Sequence, residues 1–312
     1  MKQLFFLLAF SFLIFSCENE STDSSDGNNP EVPELILKEM LVVNETTGAQ
    51  EQSYFNTLGQ MIKNDEYVNS SFISKDKLFY NLNNQRDSLH GRWGFEGETL
   101  KYSYENGLLT NILIDPISQA ENINFNISYD GNEMIVTNDN LNNGLIRKYI
   151  FTDESHETLI AEELIYTPEN SYNLPDVRYE YSYGPNSNLT ERTKLVLNED
   201  TQILEAISST QYTYDTKKNP FKSLPGTNYL VSNNEFIGYY STIFRLNHQS
   251  NNNVLSKTEI TDVNPRQWIY EYEYNEFGYP INIKESYYFG TNEDGVLNLI
   301  DIHYKTLAYY DN

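Results

Sequence analysis

Beyond residue 34 the chain alternates between apolar and polar positions in short runs, each broken by Asn, Asp or Gly. The clearest runs are Tyr102-Ser-Tyr104-Glu-Asn-Gly107-Leu-Leu-Thr-Asn-Ile112, Tyr181-Ser-Tyr183-Gly-Pro-Asn-Ser-Asn188-Leu189, Tyr212-Thr-Tyr214-Asp-Thr-Lys-Lys-Asn219-Pro-Phe221 and Tyr272-Glu-Tyr274-Asn-Glu-Phe-Gly278-Tyr-Pro-Ile281. A period of two is that of a β-strand, so each Tyr-x-Tyr places both rings on one face. The acidic residue or Asn that follows, with Gly or Asn a few positions on, is turn chemistry. Gly107, Gly131, Gly278, Asn188 and Asn219 are the positions where a positive φ is expected. Looser copies begin near Tyr54, Tyr80, Tyr129, Phe151, Leu246 and Tyr304, so the unit recurs every 22 to 32 residues, the spacing of a repeat architecture. Each unit reads as one β-hairpin, and about ten hairpins make roughly 20 strands. An open sheet rarely exceeds about 10 strands without curling. The predicted fold is therefore all-β: a large antiparallel meander curled into a half-barrel or barrel. Its edges, near Leu35 and Tyr309-Tyr310, must be covered or paired with each other.

The first residues follow a different pattern. Met1-Lys2-Gln3 carries one positive charge, and Leu4 to Phe15 is apolar except for Ser11. A charged start, a short apolar core and a small residue before the cut describe a secretory signal. A membrane-spanning helix needs about 20 apolar residues, more than this run supplies. The sequence Leu13-Ile14-Phe15-Ser16-Cys17 resembles the bacterial lipobox, which implies cleavage before Cys17 and lipidation of its thiol. Cys17 is the sole cysteine, so no intrachain disulfide can form. Glu18 to Pro33 is acidic and rich in Ser, Asn and Gly, a composition that cannot bury enough surface to fold. Its acidic start also resembles the surface-export signal of Bacteroidota lipoproteins. Three segments result: a signal peptide at 1–16, an acidic tether at 17–33 and one β-repeat domain at 34–312. The expected location is the outer membrane, by lipid anchor, facing the periplasm or the cell surface.

Composition supports the strand reading: 26 Tyr and 16 Phe stand against six Ala, and aromatic residues suit a pleated half-buried surface. Without the leader the chain holds 20 Lys and Arg against 45 Asp and Glu, a formal charge of −25. Nucleic acid is excluded as a partner, because its binding relies on cations releasing counterions. Docking of the domain on anionic headgroups is disfavoured on the same ground. A surface this acidic repels copies of itself, and a monomer is expected.

The pattern Tyr-x-Tyr-Asp-x-x-Gly/Asn resembles the YD repeat of RHS-type proteins. The segment Tyr212 to Leu224 is more specifically similar to Bacteroidota lipoproteins with a porin-like β fold, over residues 35 to 312. The resemblance implies an all-β repeat domain and suggests carbohydrate binding. It brings no catalytic residues.

No motif for catalysis or cofactor binding stands out. The four histidines, His90, His156, His248 and His303, form no metal-type pair. Asn138 to Gly144 and Asn292 to Gly295 carry oxygen ligands but lack the order of a calcium loop, and they read as polar turns. No cofactor and no enzymatic activity are expected. The tyrosine ladder is either core or an aromatic groove for sugars. In the second case Trp93, Trp268, Tyr183, Tyr214 and Tyr274 are the candidate ligand-binding residues. The expected function is binding of a glycan or peptide, or alternatively a scaffold role for an envelope protein complex. A transmembrane barrel is disfavoured: its lipid-facing strands favour aliphatic residues over Tyr, a lipid anchor would be redundant, and the chain ends in Tyr310-Asp-Asn312.

Overall fold

A computed structural model describes residues 34–310, apart from 70, 94, 116–121, 139–145, 167–173, 223–249, 262–264 and 292–294. The leader, Cys17, the tether, most of the two polar turns, His248 and the repeat start near Leu246 lie outside the described residues. Every regular element among the described residues is a strand. In chain order these are β1 (Leu37–Asn44), β2 (Gln50–Phe55), β3 (Met61–Val68), β4 (Ser71–Tyr80), β5 (Arg86–Trp93) and β6 (Phe95–Glu105). Then come β7 (Leu108–Asp115), β8 (Ile123–Asp130), β9 (Glu133–Asn138), β10 (Ile146–Phe151), β11 (Leu159–Ile165) and β12 (Val177–Tyr183). The last six are β13 (Leu189–Asn198), β14 (Ile203–Lys218), β15 (Asn252–Ile260), β16 (Arg266–Tyr274), β17 (Pro280–Thr291) and β18 (Leu297–Tyr309).

Each strand pairs antiparallel with the next, and β1 pairs with β18, Leu37 opposite Tyr309 and Asn44 opposite His303. The expected meander is therefore closed into an 18-stranded barrel. Closure removes both free edges. The hairpin count is lower than the repeat count suggested, because the unit near Leu246 falls outside the described strands.

One end of the barrel is built by a repeated device. Each even-numbered strand finishes with an inward aromatic: Phe55, Tyr80, Tyr104, Tyr129, Phe151, Tyr183, Tyr214, Tyr274 and Tyr309 in turn. The register slips beside that aromatic in every even-to-odd pair except β8–β9. A β-bulge sharpens the local twist and interrupts the ladder. The interruption is used. Tyr80 donates its hydroxyl to the carbonyl of Met61 (2.8 Å), Tyr129 to Leu109 (3.0 Å) and Tyr183 to Leu159 (2.8 Å). Tyr214 donates to Leu189 (2.6 Å), Tyr272 to Val254 (2.7 Å) and Tyr309 to Pro280 (2.7 Å). Each accepting residue lies opposite the terminal aromatic of the preceding even strand. The tyrosines thus tie six of the hairpins to the one before.

The turns at this end are set by short polar side chains. Asn56 Oδ1 accepts from the amides of Leu58 and Gln60, Asn81 Oδ1 from Asn83 and Gln85, and Asn275 Oδ1 from Phe277 and Tyr279. These are Asx turns, in which the side chain replaces a backbone acceptor. Gly278 adopts φ +79° as expected. At the Tyr183 turn, however, Ser187 (φ +55°) takes the positive φ predicted for Asn188. Asn188 is used for its side chain, which bonds Asn252. Asn219 likewise bonds Phe221 and Ser250 rather than supplying the left-handed position.

The two faces of the wall differ. Inside, Leu37, Met40, Phe55, Leu109, Ile112, Tyr149, Phe151 and Leu189 are nearly inaccessible and belong to one continuous cluster. Outside, neighbouring strands are joined by polar pairs: Lys101 with Asp115, Asn111 with Asn124, Lys148 with Glu133, Arg178 with Glu163 and Glu180, and Lys284 with Glu271. A barrel in lipid shows an apolar band outward and polar groups inward. This wall carries polar pairs among its outward positions and a buried apolar cluster inside. The apolar run Leu195-Val-Leu197 illustrates the limit of reading hydrophobicity alone. Unbroken pairing with β12 puts Arg192 and Lys194 opposite Tyr181 and Tyr179 on the inner face and Leu195 opposite Arg178 on the outer face.

Replacing Tyr183 or Tyr309 by Phe deletes one hydroxyl-to-carbonyl bond without disturbing the ring. Each change is expected to lower unfolding stability by about 1 kcal/mol. Tyr304→Phe, at an exposed position, should stay within about 0.5 kcal/mol of the parent. Urea unfolding of the three variants checks this. Equal midpoints for all of them would mean that the ties add nothing.

Candidate functional site

Away from the bulged end the interior becomes polar and more accessible. Cross-strand register puts Tyr181, Arg192, Thr210, Glu259, Arg266 and Phe289 in one inward row. The next row contains Tyr212, Lys257, Trp268, Tyr287 and Asp301, and a third contains Tyr270, Glu285, His303 and Asn44. Together they line the inner wall from β12 to β18.

The middle row is a stack. The Trp268 ring lies 4.9 Å from that of Tyr287 at 29°, and Lys257 Nζ sits 3.9 Å from the indole centroid on the Trp268–Lys257 side. An ammonium over an indole face is drawn to its negative quadrupole. Burial, reinforced by repulsion from Arg192 and Arg266, lowers the Lys257 pKa to about 8, against opposing pulls from Glu259 and Glu285. A raised neutral fraction near physiological pH is unusual for lysine.

Two carboxylates are anchored deeper. Glu285 bonds Lys305 at 2.5 Å and accepts from Tyr270 at 3.4 Å. Burial raises the Glu285 pKa, but Lys305 outweighs it, helped by His303 and Lys257, and the group ends below its ordinary value. Glu162 receives Arg147 at 3.3 Å and the Tyr181 hydroxyl at 3.1 Å. Beside Glu285, Asp301 and His303 both bond Asn44 (2.6 and 2.7 Å), so the rim of β1 and β18 is held by side chains as well as backbone. Among the described residues no cluster of three or more His, Cys, Asp and Glu is placed to hold a metal ion.

The residues singled out from sequence fall in different places. Trp268 joins the inward stack, with one indole face against Tyr287 and the other against Lys257. A sugar could stack on it only after Lys257 moved. Tyr183 and Tyr214 belong to the bulged end, and their hydroxyls are bonded to backbone carbonyls. Tyr214 also accepts from Ser250 (2.9 Å). Tyr274 stacks on Tyr272 at 5.7 Å and donates to Asp215. Burial and the Asp215 charge push its phenol pKa up. Trp93 closes β5, opposite Phe95, and its side chain lies outside the described residues.

Arg192, Tyr212 and Lys257 were not legible as site residues. Arg192-Thr-Lys194 and Lys257-Thr-Glu259 look like solvent-facing strands by hydropathy. Their signal was a shared parity with Tyr181 and Tyr212, which becomes visible only once the pairs Tyr181–Arg192 and Tyr212–Lys257 are known.

The sequence matches no family model and no curated relative. Among solved structures, the chain is similar to a porin-like protein from Bacteroides uniformis, with TM-score 0.37 and 8% identity over 89% of this chain and 98% of that one. It is also similar to a porin-like protein from Bacteroides vulgatus, with TM-score 0.39 and 10% identity over 88% of this chain and 99% of the other. Likeness at this level carries no inference about ligand, activity or placement in a membrane.

Two measurements probe the electrostatics of the wall. Lys305→Met strands the buried Glu285 and is expected to cost about 3–5 kcal/mol, while adding Glu285→Leu should recover most of that loss. Urea midpoints of the single and double variants decide; a double variant no better than the single would remove the pair from the account. Lys257 gives a pH signature. Below about 8 the folded state carries the buried ammonium and the full penalty is present; between 8 and the ordinary lysine value of 10.5 the folded group is neutral while the unfolded chain still holds its proton. Stability contributed by this group therefore rises with pH across that window. Lys257→Met should abolish the rise and increase stability at neutral pH, as read by urea unfolding at several pH values.

Proposed function

We propose that this chain is a lipid-anchored protein of the outer membrane that binds a glycan or peptide in the polar end of the barrel and catalyses no reaction. The observation that carries this reading is the gradient inside the wall. The bulged end packs Phe55, Leu109, Phe151 and Leu189 nearly inaccessibly, while the other presents Trp268, Tyr287, Lys257 and Arg192 at intermediate exposure. Aromatic rings with a few fixed polar groups are what small-ligand sites use. The exterior favours a domain standing in water, with attachment left to Cys17, as the leader and lipobox-like segment imply. The inward carboxylates Glu162 and Glu285 are each neutralised by a cation and a tyrosine, which suits a fixed wall better than acid–base chemistry.

A scaffold role is the second reading. It is favoured by Phe72, Ile73 and Phe79 on β4, which are 46%, 44% and 45% exposed and suit contact with an envelope protein.

Cys17→Ser tests the attachment. The variant should move from the membrane fraction to the soluble fraction of cells; retention in membranes after carbonate washing would contradict anchoring by lipid alone. The purified Cys17→Ser protein is then titrated against panels of glycans and peptides. Trp93→Phe leaves Trp268 as the one tryptophan reporter. Saturable change in its emission supports a ligand inside the barrel. Failure of both panels would overturn that reading and leave the scaffold.

A further inference from the structure

We infer that Arg192, Tyr212 and Lys257 form an oxyanion-recognition site on the inner wall, which fixes a carboxylate, sulfate or phosphate group of the ligand; the inference deepens the ligand-binding reading above and rests on it for its biological meaning. Two inward donors here are buried and lack partners among the described residues, and a cation stands beside them. The Tyr212 hydroxyl is buried, on a side chain 6% exposed, and has no hydrogen bond. Arg192 Nε is buried and equally unbonded, its guanidinium lying 5.1 Å from the Tyr179 ring centroid. The Lys257 ammonium lies against the Trp268 ring, 3.9 Å from its centroid. Buried donors in native proteins are almost always satisfied, so a group of orphans calls for a bound species.

The three converge. Lys257 lies directly opposite Tyr212 in the β14–β15 ladder, and Arg192 lies opposite Thr210, two residues along the same face. Arg192 is close enough to repel the Lys257 ammonium and to draw down the Tyr212 phenol against the effect of burial. All three present donors, and two are cationic. That set fits an oxyanion, whose oxygens accept charge-assisted bonds.

The surroundings agree. β13, β15 and β16 direct Arg192, Lys194, Lys257 and Arg266 inward against the single carboxylate Glu259, on a chain with far more acidic than basic residues. Glu259 is engaged by Arg266 at 3.5 Å, and Glu285, which also faces Lys257, is engaged by Lys305. Neither nearby carboxylate satisfies Arg192 or Lys257. Arg192 and Lys257 repel each other, a cost that an anion would relieve.

The test uses the Cys17→Ser, Trp93→Phe protein and sodium sulfate, inorganic phosphate and acetate as probes, with chloride holding ionic strength constant. Trp268 lies under Lys257 and reports occupancy. A saturable emission change with at least one probe is expected. Arg192→Gln and Lys257→Met should each weaken it about tenfold or more, the loss of one charge-assisted bond, while Lys257→Arg should retain it. Binding should also fall as pH rises through about 8, where Lys257 loses its proton. Thermal unfolding confirms that each variant is folded. The site is overturned if no probe gives a saturable response, or if the response is the same in the folded Arg192→Gln and Lys257→Met proteins. The panels separate the two readings. Anion binding with no panel hit removes the glycan or peptide ligand and keeps the site. A neutral ligand whose affinity ignores Lys257→Met removes the site and keeps the ligand.

Discussion

The hydroxyl of one tyrosine on the carbonyl of the preceding hairpin is the contact on which the barrel's order depends. A bulge placed beside all but one of the terminal aromatics bends the strand and leaves the ladder interrupted. In water such a carbonyl would cost little. Inside an apolar cluster an unbonded one would cost several kcal/mol. The next Tyr-x-Tyr strand brings the missing donor, as Tyr183 does for Leu159 and Tyr214 for Leu189. Twist and satisfaction are thus coupled from hairpin to hairpin, and the last tie, from Tyr310 to Phe55, crosses the closure.

That device explains why tyrosine, rather than phenylalanine, dominates the interior. Its ring fills the core and its hydroxyl closes a hydrogen-bond gap that the core itself creates. It also frees the outer face from the demands of packing. Outward positions can be Lys, Glu, Asn and Thr in cross-strand pairs, each of small individual effect. The wall is held from within.

The inner wall divides by what neutralises its charges. Glu162 and Glu285 each receive a cation and a phenol, so their burial is compensated locally. Along the wall towards β13 and β15, Arg192 and Lys257 face inward against aromatic rings, and the nearby Glu259 and Glu285 are engaged by Arg266 and Lys305. Rings can hold cations in place but satisfy few of their donors. A fold that pairs its deeper charges and leaves these two open has reserved donors on one stretch of surface.

The sequence by itself determined the strand content, the meander and the turn positions, because a two-residue period with Asn, Asp or Gly breaks has one economical reading. Tyr102, Tyr104, Tyr272 and Tyr274 could be placed on a common face from spacing alone. Closure was constrained but left open between half-barrel and barrel, since only the pairing of Leu37 with Tyr309 distinguishes them. Three further things belonged to the tertiary structure. Pairing with β12 decides which face of β13 is inward, so Leu195 faces out and Lys194 in, against their hydropathy. Ser187 rather than Asn188 takes the left-handed turn position. Arg192, Tyr212 and Lys257, distributed over three strands, meet only through register, which a local pattern cannot encode because it is a relation between strands rather than a property of any one.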